Sequence, residues 1–198
     1  VIQNLFPDKN KDFVFNITEN DIVLVKEVKN NIDVRDLEKL ARSISDTLSS
    51  EFFTKVNVGI GTPVVGVKDL ARSFKEAQTA LEVGKVFDTD KNIVSYDNLG
   101  IARLIYHLPT TLCETFLKEV FKKNSIESLD HETLFTIQKF FENSLNVSET
   151  SRKLFVHRNT LVYRLDKIKK LTGLDLREFD HAIIFKIALM VKKYLAAN

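Results

Sequence analysis

Apolar residues recur at helical spacing in the C-terminal third of the chain. Leu161, Leu165 and Ile168 follow one another at intervals of four and three residues, so they share one face of a helix. Leu171 continues this stripe, and Gly173 is placed to end the helix with a left-handed residue. The pattern therefore predicts a helix over about 158–171, with one buried face.

A second short helix is predicted directly before it. Ser148 is suited to cap that helix with its hydroxyl, and Leu154 and Phe155 are expected to close it with apolar contacts. The turn is predicted at Val156 and His157. Two short helices joined by a tight turn are typical of a helix-turn-helix.

Upstream, a helix over 132–145 and an amphipathic helix that contains Cys113 are predicted from the same spacing. The last helix, 181–195, is apolar almost all round, so one of its faces is expected to meet something beyond its own small domain. Self-association is one explanation. Burial under the preceding helices is the other.

The first half of the chain alternates between strand and helix patterns. Short β-branched and aromatic runs predict strands at 13–17 and 22–28, joined as a hairpin through 18–21. A helix capped by Asp33 and running to about Ser50 is predicted next, and Gly59-Ile60-Gly61 is interpreted as a turn at a strand end. The remaining predicted elements are a strand at 55–60, a helix at 68–87 and a strand at 93–96. The order predicts an α+β fold with a small sheet and packed helices.

Charge is divided unequally along the chain. Residues 133–198 carry 12 Lys and Arg against 6 Asp and Glu, a net charge of +6, whereas residues 1–132 carry 17 against 21, a net charge of −4. Such asymmetry indicates that one half meets a polyanion. With the change in pattern, it predicts two domains, 1–108 and 109–198.

The face opposite the Leu161 stripe carries side chains that pair with base edges and phosphates. Arg158, Asn159 and Thr160 are expected to reach furthest into the major groove of double-stranded DNA, because the first turn of a second helix enters that groove. Phosphates are expected to be neutralised by Arg152, Lys153, Lys167, Lys169 and Lys170. The other predicted DNA-binding residues are His157, Tyr163, Arg164 and Ser148.

From about Glu132 onward the chain resembles the C-terminal helix-turn-helix domain of the purine-catabolism and sugar-diacid regulators (PucR/CdaR type). The resemblance is carried by His157-Arg158-Asn159-Thr160-Leu161 with Tyr163-Arg164-Leu165, and by the Leu-Thr-Gly-Leu-Asp-Leu segment at 171–176. It implies a bacterial transcriptional regulator of catabolic genes, and helix-turn-helix proteins commonly bind DNA as homodimers. It leaves the effector, the operator and the sign of regulation open.

Residues from about 13 to 96 resemble the GGDEF-like domain of the same family, through Val-Asn-Val-Gly-Ile-Gly at 56–61 and the helix pattern at 70–81. Active diguanylate cyclases carry two glycines on the hairpin, where this chain has Thr18-Glu19-Asn20-Asp21-Ile22. Without those glycines the backbone cannot approach a nucleotide closely, so a degenerate, non-catalytic domain is predicted. The alternatives are a nucleotide-binding or cyclase-type enzyme and a protein-interaction module that uses the basic helix.

Other chemistry is not indicated. The four histidines and Cys113 show no metal-ligand spacing, so no metal, cofactor or catalytic residue is predicted. No apolar run is long enough to span a membrane, and a single cysteine suits a reducing compartment. A cytoplasmic protein is predicted, and the absence of an initiating Met suggests a fragment of a longer one.

Overall fold

The computed structural model describes residues 2–8, 10–87, 91–121 and 129–197. The chain forms two compact units, residues 1–104 and 105–198. The first contains the β-strands, and the described part of the second is helical, which confirms the α+β class. The predicted domain boundary at residue 108 stays a prediction.

Apart from a short first helix that was not predicted, the elements of the first unit follow the predicted order with small shifts at their ends. They are α1 Ile2–Leu5, β1 Asp12–Asn16, β2 Ile22–Lys26, α2 Val34–Phe52, β3 Val58–Ile60, α3 Leu70–Phe87 and β4 Ile93–Ser95. The Asp33 carboxylate accepts a hydrogen bond from the Arg35 N–H at 2.8 Å and caps α2, as predicted.

The strands form two small sheets rather than the single sheet that the sequence suggested. β1 and β2 pair antiparallel as the predicted hairpin, with Phe13 opposite Val25. β3 and β4 pair parallel, with Val58 opposite Ile93. The alternation of apolar residues fixes which segments are extended, but strand pairing depends on contacts between distant parts of the chain, which the pattern does not encode.

Gly59 and Gly61 serve close packing instead of the predicted strand-end turn. Gly59 lies within β3, and a Cβ there would stand 2.2 Å from the carbonyl oxygen of Ala77 on α3. A Cβ on Gly61 would stand 2.0 Å from the carbonyl oxygen of Ser73. The glycines therefore allow α3 to lie directly against the β3 backbone.

The remaining helices are α4 Ile101–Tyr106, α5 Thr110–Phe121, α6 His131–Glu142, α7 Val147–Lys153, α8 Arg158–Thr172 and α9 Phe179–Ala197. Helices α5 to α9 enclose one apolar core in the second unit. Its largest fully buried side chains include Phe140 from α6, Leu161 from α8 and Phe185 from α9.

Most of the apolar surface of α9 is covered by this core. Ala182, Phe185, Ala188 and Val191 are buried, and the Phe185 ring meets that of Phe121 on α5 edge to face at 5.6 Å. Burial under the preceding helices thus accounts for the face that the sequence left unassigned. No helix among the described residues is long and apolar enough to cross a membrane.

Candidate nucleic-acid interface

α7, the first helix of the predicted pair, is capped by Asn146. Its side-chain oxygen accepts a hydrogen bond from the Glu149 N–H at 3.0 Å, and its backbone is extended, as a capping residue requires. The predicted cap, Ser148, is instead the second residue of α7, with an exposed side chain. The prediction was wrong because both residue types cap helices well, and only the backbone conformation distinguishes them.

The turn between the helices spans residues 154–157. Leu154 and Val156 pack against the core, but Phe155 is 95% exposed, so the predicted apolar closure by Phe155 is wrong. Its N–H donates to Arg152 O at 3.1 Å, and the Val156 N–H donates to Ser151 O at 3.0 Å. This pair of bonds places Phe155 in a left-handed conformation, with φ of 55°.

α8 is built as the pattern predicted. Leu161, Leu165 and Ile168 are fully buried, and Gly173 ends the helix with φ of 80° and an N–H that donates to Lys169 O at 2.8 Å. His157 caps the start, because its Nδ1 accepts from the Asn159 N–H at 3.2 Å. The buried stripe fixes which face of α8 stays outside.

The outer face of α8 begins with exposed polar side chains. Arg158, Asn159 and Thr160 are exposed in the first turn, and Tyr163, 70% exposed, lies one turn beyond Asn159 on the same face. Within the described ranges, the guanidinium of Arg158 has neither an ion pair nor a hydrogen bond. This first turn presents one cation and several hydrogen-bonding groups to solvent.

Two other predicted contact residues are held by α6. Nη1 of Arg164 donates to the hydroxyl of the fully buried Thr136 at 3.2 Å, and Nη2 forms an ion pair with Glu132. Nζ of Lys167 lies 3.3 Å from Oδ2 of Asp130. Arg164 and Lys167 therefore meet carboxylates of their own chain, on the side of α8 that faces α6.

Asp130 has a second role in this arrangement. Its Oδ1 accepts from the Thr133 N–H at 2.7 Å and so caps α6. The side-chain and backbone hydrogen bonds of Thr133, followed by the interactions with Lys167, lower the pKa of Asp130 from 3.8 to about 2. Sequence reasoning missed Asp130 and Glu132. A capping Asp before a helix is recognisable, but its pairing with a residue 37 positions away requires the fold.

The end of α8 carries a further charge cluster. Nη2 of Arg177 donates to Oδ1 of Asp166 at 2.7 Å and to Oδ2 of Asp175 at 2.9 Å. Lys169 also reaches Asp175, at 3.1 Å. Hydrogen bonding by Arg177 holds the pKa of Asp175 well below its usual range. Lys169 is thus tied to this cluster, and Asp166, the acidic residue on the outer face of α8, has its charge balanced.

Two of the remaining predicted cations, Arg152 and Lys153, lie at the end of α7 beside the turn, and Lys170 lies in the last turn of α8. Arg152 is exposed, with Nη1 3.6 Å from Oε2 of Glu149 and Nε donating weakly to Ser148 O at 3.4 Å. Lys153 and Lys170 are exposed and have no ionic partner in the described part of the chain. A band of positive charge therefore runs from the end of α7 onto the first turn of α8.

Comparison with protein families assigns this region. Residues 133–191 match the PucR C-terminal helix-turn-helix domain, and residues 1–83 match a GGDEF-like domain. The resemblance drawn from the 157–165 segment is confirmed, and α7 and α8 are the two helices of the helix-turn-helix.

Two relatives of this chain are regulators by name. It is 27% identical over 190 residues to the carbohydrate diacid regulator of Escherichia coli K12, a match that covers 93% of this chain and 49% of that protein. It is 26% identical over 150 residues to the purine catabolism regulatory protein of Bacillus subtilis 168, covering 75% and 28% respectively. The chain spans half or less of the length of these relatives.

The chain is also similar to a solved structure. The regulator of polyketide synthase expression from Bifidobacterium adolescentis is 20% identical, with 67% of this chain and 53% of that chain covered and a TM-score of 0.35. A similarity at this level supports no structural conclusion about this chain.

The hairpin of the GGDEF-like domain uses its polar groups internally. The Thr18 hydroxyl donates to Oδ2 of Asp21 at 2.8 Å and accepts from the Asp21 N–H at 3.0 Å. The turn is closed by its own side chains in place of glycines. No three His, Cys, Asp or Glu side chains among the described residues come together as a metal site. The two named relatives are regulators by name, in agreement with the regulator predicted for this chain.

Proposed function

We propose that this chain is the DNA-binding part of a bacterial transcriptional regulator of catabolic genes, and that it inserts the first turn of α8 into the major groove. The observation that carries this proposal is the outer face of α8, where Arg158, Asn159 and Thr160 are exposed while the opposite stripe is fully buried. Arg pairs with guanine edges and Asn with adenine edges in that groove. The family supports the same assignment.

The residues divide by their surroundings. Arg158, Asn159 and Thr160 would contact base edges, and Tyr163 would lie beside them, further along the groove. Ser148, Arg152 and Lys153, at the start and end of α7, would contact phosphates, as would Lys170. His157 would hold the first turn of α8 in place as its cap.

Arg164 and Lys167 take a different part in the proposal. Both already pair with carboxylates next to α6, and DNA is repelled by those same carboxylates. They would support binding by fixing α8 on α6, with Lys167 nearest to the backbone of the duplex. Lys169, paired with Asp175, would contribute only through its long-range charge.

We further propose that the regulator acts as a homodimer, so that two copies of α8 read a two-fold site. A small-molecule signal would change how the two copies are paired or oriented. No described residue cluster identifies that molecule. Because its target is bacterial DNA, the protein would work in the cytoplasm.

Fluorescence anisotropy of a labelled mixed-sequence duplex, titrated with this chain at several salt concentrations, tests the DNA-binding proposal. We expect binding that weakens steeply with salt, and an Arg158→Ala variant that binds more weakly. The slope of log affinity against log salt should fall by about 0.9 for each phosphate contact that is lost.

Arg42 on α2 supplies a matched control, since it is an exposed arginine of the GGDEF-like domain. Arg42→Ala should leave affinity and salt slope unchanged. An equal loss of DNA affinity in Arg158→Ala and Arg42→Ala would mean that binding depends only on the net charge of the chain. Absence of binding by the wild-type chain at low salt would overturn the proposal and favour a protein partner for the basic helix.

A further inference from the structure

Phe155 occupies a position that the fold itself does not explain. It is the left-handed residue of the turn between α7 and α8, with φ of 55°, and its side chain is 95% exposed. Glycine is the favoured residue at such a position because a Cβ is disfavoured in the left-handed region. The backbone conformation at this position therefore favours a residue without a side chain, and the aromatic ring that is present does not pack into the core.

The neighbours of Phe155 define the surface to which it belongs. Leu154 and Val156 turn inward and pack against the core, so Phe155 alone of the three points away from it. The exposed cations Lys153 and Arg158 flank the turn on its two sides. An apolar ring between two cations suits a partner that is anionic and carries apolar groups close to its charges.

Double-stranded DNA has that chemistry. Its phosphates alternate with deoxyribose rings along the backbone, and the methyl groups of thymine line the major groove. The turn also leads directly into the first turn of α8, through which we propose that the chain reaches the bases. A protein surface could offer carboxylates, but it would not present charge at the regular spacing of a phosphate backbone.

We propose that Phe155 is a DNA-contacting residue whose ring packs against deoxyribose or thymine methyl groups at the edge of the groove entered by α8. This inference rests on the proposed function and adds an apolar contact to an otherwise polar set. The ring contributes affinity through buried apolar surface, so its contribution is independent of salt.

Phe155→Gly in the full chain, measured by the same anisotropy titration, provides the test. We expect affinity to fall about fivefold or more, the value of one good apolar or hydrogen-bonding contact, with an unchanged salt slope. The midpoint of thermal unfolding should stay equal or rise, because glycine suits the left-handed backbone. A variant that folds at least as well and binds less tightly cannot be explained by damage to the fold.

Two further variants separate the ring from the flexibility of the turn. Asn tolerates the left-handed conformation, so Phe155→Asn should bind as weakly as Phe155→Gly. Phe155→Tyr keeps the ring and should bind like the wild type. If Phe155→Asn binds like the wild type, the loss in the glycine variant comes from flexibility and the proposal is overturned.

Phe53 provides a control in the other unit. It is also a left-handed residue at a helix end, with φ of 53° and 92% of its surface exposed. Phe53→Gly should leave DNA affinity unchanged. An equal loss of affinity in Phe53→Gly and Phe155→Gly would contradict a local contact at the turn.

The source of the apolar contact can be identified with a duplex in which uracil replaces thymine. If wild type and Phe155→Gly bind that duplex with equal affinity, the contact is to thymine methyl groups. If the wild type still binds it more tightly, the contact is to deoxyribose. Wild-type binding with no effect of Phe155→Gly or Phe155→Asn would overturn this inference and leave the proposed function standing. Absence of wild-type binding would overturn both.

Discussion

Arg164 and Thr136 join the recognition helix to the helix before the motif, through a hydrogen bond of 3.2 Å from Nη1 to the hydroxyl oxygen. The same hydroxyl donates to Glu132 O at 2.9 Å, so its donor and its acceptor are both used. The arginine is only 26% exposed, and the threonine is fully buried. A residue that resembles a DNA contact in the sequence is thus a tie between α8 and α6.

Arg164→Ala should destabilise the fold. Removal of a hydrogen bond from a charged donor to a buried hydroxyl is expected to lower the free energy of unfolding by about 1–2 kcal/mol. The exposed ion pair with Glu132 adds little to that value. Urea denaturation of the variant and the wild type measures the difference.

Arg158→Ala provides the contrast. The Arg158 side chain is exposed and has no partner in the described chain. The substitution should therefore change the free energy of unfolding of the protein by less than about 0.5 kcal/mol. DNA affinity should fall more in Arg158→Ala than in Arg164→Ala. Unchanged stability together with a reduced salt slope in Arg164→Ala would assign Arg164 to a phosphate instead.

Stability should depend on Asp130 below pH 4. The folded chain lowers the pKa of Asp130 from 3.8 to about 2, so the carboxylate stabilises the fold fully above about pH 4. That contribution is lost as the pH falls from about 4 to about 2. Asp130→Asn keeps an oxygen for the cap but cannot titrate, so its midpoint of thermal unfolding should fall less over this range.

Asp175 also has a lowered pKa, so the Asp130→Asn variant should retain part of the acid sensitivity. Thermal unfolding followed by circular dichroism between pH 2 and pH 5 makes the comparison. Parallel curves for variant and wild type would show that the Asp130 carboxylate does not stabilise the folded state.

Asn146→Ala should destabilise the motif more than Ser148→Ala. Asn146 accepts the capping hydrogen bond of α7, and loss of such a cap costs about 1 kcal/mol. Ser148 is exposed within the helix and should change stability by less than about 0.5 kcal/mol. Urea denaturation of the two variants measures both losses in free energy of unfolding. A larger loss in Ser148→Ala than in Asn146→Ala would show that Ser148 is the capping residue.

Gly61→Ala should destabilise the first unit by about 1–3 kcal/mol. The added methyl would overlap the carbonyl oxygen of Ser73, and backbone must shift to make room. Gly66→Ala is a matched control, because the contact nearest to its Cβ is 3.8 Å away on Asp69. Equal unfolding free energies for the two variants would show that α3 does not lie as close to β3 as described.

What the sequence could predict was local and periodic. The hairpin, the Asp33 cap and the stripe of Leu161, Leu165 and Ile168 depend on residues a few positions apart, so pattern alone locates them. The basic outer face of α8 can be located from that stripe, because it lies on the opposite side of the helix. The family resemblance was found through the same segment.

What it could not predict depends on contacts between distant residues. The partners of Arg164 and Lys167 lie 32 and 37 positions earlier, and nothing in the α8 pattern separates a tied arginine from a free one. The role of Gly61 depends on the closeness of a helix that begins nine residues later. Phe155 was expected in the core because apolar residues are usually buried, and only the backbone conformation places it outside.

The carboxylate of Asp130 is divided between two helices, with Oδ1 on the Thr133 N–H and Oδ2 near Lys167. Serine could replace the first contact but carries no charge for the second. Glutamate could carry the charge, but its extra methylene makes it a poor cap. Asparagine would turn an amide donor toward an ammonium group. Aspartate alone among the common side chains serves both helices, so a substitution at this position would disturb the cap of α6, the charge beside α8, or both.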